Sequence, residues 1–448
     1  MKRILILFLV LAIAVPSFAQ KKLSLQEAIS IALQRNSALI KSKNNLESSQ
    51  SQLTNAYGQL LPNLGVQGQL NWSRVDDKGG QQVFYGGIPI STQASTQENR
   101  SYYLGLSGNL TLFDGLSNIA SVNQAKENLK SVEYSLEKQK QNLVFQTTDL
   151  FYLALNAGEL LKVRDENVQY YKKFLETVQE RNRLGAVALA DVYAAQVQLG
   201  NAELQLIQAQ NDFDAVKNTI LNFLALDVMD EYTFVDPFSA NKIVDTDTYM
   251  KDFEDLQTLV NAAMDTRFDY KSQLEIVNSA KSGITIARGG IFPSLSANYS
   301  YGSSSAEINQ MFNRKVLNFG LSLNIPIFSN FNTDTRIQMA NVNYLNSQED
   351  LSALNRQIKI DVKQGYLNLV AAKKSLDVAA NTVTQAEQNR KINEERYKLG
   401  SATILDVLQS GRDYTDALRN KINAVYDFYR KYDNLQNALG RLDFKKYE

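Results

Sequence analysis

Hydrophobic and polar positions in this chain follow two different periods, and the switch between them occurs twice. From Asn63 to Trp72, Leu64, Val66, Leu70 and Trp72 alternate with Asn63, Gln67, Gln69 and Asn71. From Tyr102 to Phe113, Tyr102, Leu104, Leu106, Leu110 and Leu112 are interleaved with Gly105, Ser107, Asn109 and Thr111. Further on, Leu295, Ala297, Tyr299 and Tyr301 alternate with Ser294, Ser296, Asn298 and Ser300, and Leu317, Phe319, Leu321, Leu323, Ile325 and Ile327 with Asn318, Gly320, Ser322 and Asn324. Successive side chains of a strand point to opposite faces, so a period of two predicts four strands, grouped as hairpins over 63–113 and 294–328. After each hairpin the period turns helical. Leu129, Leu136, Leu143 and Leu150 recur every seven residues, with Val132, Leu153 and Leu160 on the neighbouring seam. That spacing predicts coiled-coil helices over 115–184 and 333–399, each about 100 Å long at ~1.5 Å per residue.

The two stretches are copies of one unit. Leu25-Gln26 matches Leu256-Gln257, Ala32 matches Ala263, and Leu-Pro-Asn-Leu at 61–64 matches Phe-Pro-Ser-Leu at 292–295, at an offset of 231. Beyond them, Gly105-Leu106-Ser107 matches Gly320-Leu321-Ser322, Phe113 matches Phe328, Leu184-Gly185 matches Leu399-Gly400 and Asp191-Val192 matches Asp406-Val407, at an offset of 215. The offsets differ by 16 residues, which places extra chain in the first hairpin, in a loop expected from Ser73 to Arg100. The organisation expected is a first repeat over 20–226, an inter-repeat segment over 227–253, a second repeat over 254–442 and a tail over 443–448.

Charge decides what kind of sheet the strands make. None of the four alternating segments contains Asp, Glu, Lys or Arg, while Arg74, Arg100, Arg314 and Lys315 stand just outside them. A sheet with one wet face normally carries charge there. Apolar residues alternating with small polar ones over about 10 residues suit a lipid-facing barrel with a wet lumen, with Trp72, Tyr102, Phe113, Tyr301 and Phe328 as interfacial girdles. Four strands cannot close a barrel, so the chain must oligomerise; a trimer gives a wider bore than a dimer.

Composition narrows the chemistry. The chain has 47 basic and 47 acidic residues, which argues against nucleic acid as partner. With no His and no Cys there is no thiolate nucleophile, imidazole base or ordinary N/S metal site, and no cofactor is implied. Its 6 Pro leave long Pro-free tracts that suit long helices. Lys2-Arg3, the apolar run Ile4 to Val15 and Ser17-Phe18-Ala19 read as a signal peptide over 1–19, cleaved before Gln20.

Both long helices end alike, in Arg183-Leu184-Gly185 and Lys398-Leu399-Gly400, with tip turns expected over 185–191 and 400–406 before Asp191-Val192 and Asp406-Val407. Glu180-Arg181-Asn182-Arg183-Leu184-Gly185 and Glu395-Arg396-Tyr397-Lys398-Leu399-Gly400, each followed by its Asp-Val, resemble the paired tips of the TolC family of outer-membrane efflux channels. Leu112-Phe113-Asp114-Gly115 and Ile327-Phe328-Ser329-Asn330 resemble the family's barrel boundaries, and the likeness covers 23 to about 442.

The resemblance implies a mainly helical chain with transmembrane β-structure: a homotrimer with a 12-stranded barrel in the outer membrane of a Gram-negative bacterium, a coiled-coil tunnel through the periplasm and a small mixed equatorial region. It implies a non-enzymatic exit duct of efflux or type I secretion, served by a periplasmic adaptor and an inner-membrane pump of RND or ABC type. By the same resemblance Leu184, Gly185, Ala186, Leu399, Gly400 and Ser401 are the adaptor-contacting tips, Asp406 forms a carboxylate ring, and Tyr397 and Asp191 hold the closed gate. This chain departs from the pattern at Gln409, where a second carboxylate is usual, and at Ala402, where an Arg is usual. Those changes imply a ring of three carboxylates and a lighter latch. The alternative, a trimeric surface or adhesin stalk with a barrel anchor, predicts one passenger and one anchor rather than two matched hairpins. A secreted enzyme would need paired carboxylates outside helix-surface sequence, and there are none.

Overall fold

The computed structural model describes residues 21–80, 82–91, 93–236, 246–253 and 255–447. The expected signal peptide lies outside the described residues, as do 237–245 of the inter-repeat segment and the last residue of the tail. Along the chain, strand β1 (Lys21–Leu23) leads into helices α1 (Leu25–Arg35) and α2 (Ser37–Gly58). Strands β2 (Asn63–Asp77), β3 (Gln82–Tyr85), β4 (Ile88–Ser91) and β5 (Ser95–Phe113) follow, then the long α3 (Ser117–Arg183) and α4 (Leu189–Phe223). Strand β6 (Tyr232–Phe234) and α5 (Thr246–Met250) join the halves. The second half repeats the first as α6 (Leu256–Thr266), α7 (Phe268–Gly289), β7 (Ser294–Ser305), β8 (Lys315–Asn324), α8 (Asn332–Lys398) and α9 (Ile404–Ala438).

Local chemistry sets these boundaries, and does so twice. Ser24 opens α1 with a capping box: its hydroxyl accepts from Glu27 N at 3.3 Å while its own N–H donates to the Glu27 carboxylate at 2.8 Å. At the matching place Asp255 opens α6, accepting from Gln257 N and Thr258 N at 3.2 Å. Each long helix starts after two consecutive left-handed residues, Gly115 and Leu116 (φ 69° and 71°) and Asn330 and Phe331 (φ 50° and 61°). The left-handed backbone costs an ordinary L-residue about 1–2 kcal/mol, which Gly and Asn largely avoid and Leu116 and Phe331 do not. In the first copy the chain leaves β5 and enters α3 with only three residues between them, so α3 starts at Ser117 rather than at Gly115; in the second copy seven residues separate β8 from α8.

The chain divides into two compact units. One comprises Asn44–Ser135 and Asp269–Leu354 and holds the sheet. Its order is β2-β5-β7-β8, antiparallel throughout, so the second hairpin lies beside the first through β5 and β7. Cross-strand partners share a face. Val66 pairs with Leu106, Leu106 with Tyr301 and Tyr301 with Leu317, so one face is apolar across all four strands. Gln67 opposite Gly105, Asn63 opposite Asn109, and Ser300 opposite Asn318 put amides, hydroxyls and glycines on the other, where Asn318 donates to Ser300 Oγ at 3.2 Å.

The first hairpin is longer than its charge-free segments. Strands β2 and β5 continue past Trp72 and Arg100 to Asp77 and Ser95, so Arg74 and Arg100 lie within strands rather than beyond them. The charge is accommodated there by partners on both strands: Arg74 is 3.8 Å from Glu98, opposite it on β5, and 3.0 Å from Asp76, two residues along β2. The loop expected over 73–100 is thus mostly strand, closed by the small β3–β4 hairpin. The fourth strand, expected to reach 328, stops at Asn324, just ahead of Pro326, which has no N–H to donate to a ladder.

Where α3 begins, space is tight. A Cβ on Gly115 would sit 2.6 Å from the Gly289 carbonyl oxygen and 2.9 Å from Phe292 Cβ. Gly115→Ala therefore meets both a backbone clash and an unfavourable φ, and is expected to destabilise the unit by about 2 kcal/mol or more. Gly58→Ala, helical and with nothing within 4 Å, is the neutral comparison. Heat-dissociation midpoints of the two variants check this; equal midpoints would remove the joint's steric role.

The other unit comprises the described parts of Met1–Lys43, Leu136–Phe268 and Asn355–Glu448. Here β1 and β6 pair in parallel, and α3, α4, α8 and α9 bury Phe151, Ile220, Leu369 and Phe428 to 0% exposure. Arg430 grips Asp149 through Nε at 2.5 Å and Nη2 at 3.3 Å. The seven-residue leucine series drifts off the core within α3, as a 3.6-residue turn requires: Leu143 is buried, Leu150 only half-buried, and Phe151 takes its place.

Candidate functional site: the paired helix tips

Each tip begins as a helix stop. Gly185 and Gly400 adopt φ 74° and 73°, a conformation only glycine takes without strain. Ala186 N donates to Arg181 O and Gly185 N to Asn182 O, both at 2.8 Å. In the second copy Ser401 N donates to Arg396 O at 2.8 Å and Gly400 N to Tyr397 O at 3.1 Å. These are Schellman motifs, and they satisfy carbonyls the helix leaves without partners. Helices resume at Leu189 and Ile404, so the turns are shorter than 185–191 and 400–406, and Asp191 and Asp406 stand in first helical turns.

The two carboxylates are placed differently. Thr403 caps α9: the Asp406 carboxylate accepts from Thr403 N and Oγ1, each at 2.8 Å, and Asp406 N donates to Thr403 Oγ1 at 3.3 Å. These donors hold the exposed Asp406 carboxyl below its ordinary pKa, the backbone N–H contributing most. In the first copy Ala188 occupies the capping position and offers no side-chain bond, which leaves Asp191 outside any capping box, half-buried.

Asp191 and Tyr397 line one groove of about 610 Å³, with Arg181, Ala402 and Thr403. Tyr397 is only 6% exposed, packed with Val178, Val192, Ile404 and Val407, and its ring lies 6.0 Å from that of Phe174. Burial raises the phenol's pKa, the Asp191 charge raises it further, and the Arg181 guanidinium opposes both. The structure brings the expected gate pair together without bonding it: the Tyr397 hydroxyl is buried and has no hydrogen-bond partner. Ala402, where an Arg was expected from the family pattern, packs against this core instead. Asp406 is not among the groove's lining residues.

Two residues here were not singled out from sequence. Arg181 donates from Nη1 to Tyr397 O at 3.0 Å, with its guanidinium 4.7 Å from the ring centroid. Asn182, which aligns with Tyr397 at the 215 offset, donates to Val187 O at 2.8 Å and fastens the first tip locally. The readable signal was the mismatch at that aligned position, an amide in one copy and a phenol in the other. The apical Leu184 and Leu399 are 67% and 81% exposed.

Comparison with known proteins places this geometry. The outer membrane efflux protein family matches residues 28–225 and 259–441, one block in each repeat. The outer membrane protein TolC of Vibrio cholerae is 23% identical over 99% of this chain and 96% of its own length. That of Escherichia coli K12 is 22% identical over 99% and 87%. Among solved structures, the outer membrane protein VceC from Vibrio cholerae superposes with a TM-score of 0.77 at 18% identity, covering 93% of this chain and 96% of that one, and so shares its fold. No helix among the described residues is long and apolar enough to cross a membrane. The chain belongs to the outer membrane efflux protein family: it is an exit duct of the Gram-negative outer membrane with its helices in the periplasm, and not an enzyme.

Proposed function

We propose that three copies close a 12-stranded barrel and that their helix tips form a gate which docks onto a periplasmic adaptor (membrane fusion) protein, itself coupled to an inner-membrane RND or ABC-type pump. The observation that carries the reading is the four-stranded sheet with both edges, β2 and β8, open and no charge in its central segments. In lipid each unpaired backbone group costs several kcal/mol, so β8 of one copy must pair with β2 of the next. A trimer leaves a bore wide enough for the wet Asn, Gln, Ser and Gly face. The helical part carries its own unpartnered seam on α4, where Leu189, Tyr193, Val197, Leu204 and Ile207 are all more than half exposed, and a second copy would cover it.

At the tips, Leu184, Gly185, Ala186, Leu399, Gly400 and Ser401 offer two exposed leucines on rigid glycine turns to an adaptor. Asp406 supplies the carboxylate ring and Tyr397 with Asp191 the gate lining. Cargo choice belongs to the pump, since a lumen of amides and hydroxyls selects little. The purified protein in planar bilayers is expected to show discrete conductances. Cross-linkers placed at Ala186 or Ser401 are expected to capture a periplasmic adaptor. A silent bilayer would overturn the duct, and capture of no periplasmic protein would overturn the docking.

A further inference from the structure

The two tips are built from matching sequence, yet only one reaches across to the other. Arg181 and Arg396 occupy the same place in the two repeats. Arg396 stays on its own hairpin, donating from Nη2 to Ser401 O at 3.2 Å. Arg181 leaves its hairpin, donates to Tyr397 O at 3.0 Å and lays its guanidinium over the Tyr397 ring at 4.7 Å. The carbonyl it meets belongs to the last turn of α8 and accepts from Gly400 N as well; a carbonyl oxygen has room for a second donor, and the negative end of the helix dipole favours a cation there. The ring adds its own attraction for a planar cation.

The geometry points to Arg181 as the residue that couples the first tip to the second in the closed gate, with the ring and backbone carbonyl of Tyr397, not its hydroxyl, as the receiving groups. Three observations separate this from a phenol-to-carboxylate latch. The hydroxyl is buried and unbonded. Asp191 lines the same groove and makes no hydrogen bond to it. The position where the family pattern carries a latching Arg is Ala402, sunk against the core. A cation is thus supplied from the opposite hairpin instead. Spreading the tips must break the carbonyl bond and uncover the stacked ring together, so one side chain governs both. Arg181 is a positioning residue: it contacts no cargo and acts by holding the tips.

The inference rests on the tips being the gate, and the test keeps the two apart. Arg181→Ala, Arg181→Gln, Tyr397→Leu and Tyr397→Phe are reconstituted as assembled full-length protein in planar bilayers, with trimer assembly verified on native gels. Arg181→Ala and Tyr397→Leu are expected to raise the open-to-closed ratio by about tenfold. Tyr397→Phe, which keeps ring and carbonyl, is expected to open far less than Tyr397→Leu. Wild-type gating in Arg181→Ala, or opening in Tyr397→Phe as large as in Tyr397→Leu, overturns the coupling. Should Arg181→Ala not assemble, Arg181→Gln decides: it keeps N–H donors but loses the cation, and a wild-type ratio in it overturns the cation's role. If wild type and every variant are silent, it is the duct that fails; if wild type conducts and only the Arg181 expectation fails, the duct stands.

Discussion

Phe319→Arg is expected to abolish the membrane-inserted assembly, whereas Asn298→Arg leaves it intact. Phe319 is 73% exposed in the middle of β8, on the apolar face it shares with Leu317, Leu321 and, across the ladder, Tyr299. A cation on the lipid side of a barrel costs about 2–4 kcal/mol at the bilayer midplane, and a symmetric trimer bears that cost three times. Asn298 lies on β7 one residue out of phase, opposite Gly320, on the face of amides and hydroxyls where water solvates a charge. The measurement is the fraction of heat-modifiable oligomer in outer-membrane preparations, with wild type alongside. Equal insertion of the two variants would mean that the apolar face does not meet lipid, and would return the sheet to the soluble class.

If Asp406 forms the proposed ring, Asp406→Asn is expected to weaken block by divalent or trivalent cations from the periplasmic side by roughly one to two orders of magnitude, since the ring would lose all three of its charges together. The substitution is structurally mild. An amide oxygen still accepts from Thr403 N and Oγ1, so the capping box that starts α9 is retained. The same bonds fix the pH dependence. The carboxyl titrates below its ordinary value, so as pH falls its charge is lost at a lower pH than that of an ordinary aspartate. Block in wild type should therefore survive acidification to about pH 5. An unchanged blocking constant in Asp406→Asn would remove this residue from the pore. So would a wild-type block that disappears already near pH 5. With Gln409 three residues on, no second carboxylate compensates.

Local order explains what was legible. Alternation in Leu317, Phe319, Leu321 and Leu323 is a property of neighbouring residues, and a strand is the one element whose faces it serves. The glycine stops at Gly185 and Gly400 were readable for the same reason, because a helix end satisfies its carbonyls within six residues. The reach of β2 and β5 into charged sequence was not readable. Arg74 is tolerated in a strand because Glu98 stands opposite, and that pairing depends on register, not on either segment alone. The tip followed the same rule. Tyr397 and Asp191 meet in one groove, but whether a hydroxyl bonds, and that Arg181 arrives instead, depends on side chains more than two hundred residues apart.

By itself, then, the sequence determined the repeat, the switch from a period of two to a helical one, the charge-free strands and so the class of membrane duct, since each follows from short-range patterning and the solvent a face must meet. Only the tertiary structure decided that β5 and β7 join the two hairpins into one sheet, that Leu116 and Phe331 accept a left-handed backbone at the strand-to-helix joints, and that a single arginine bridges the tips. Those outcomes turn on which distant groups share a small volume, and sterics and hydrogen-bond geometry settle that only once the chain is folded.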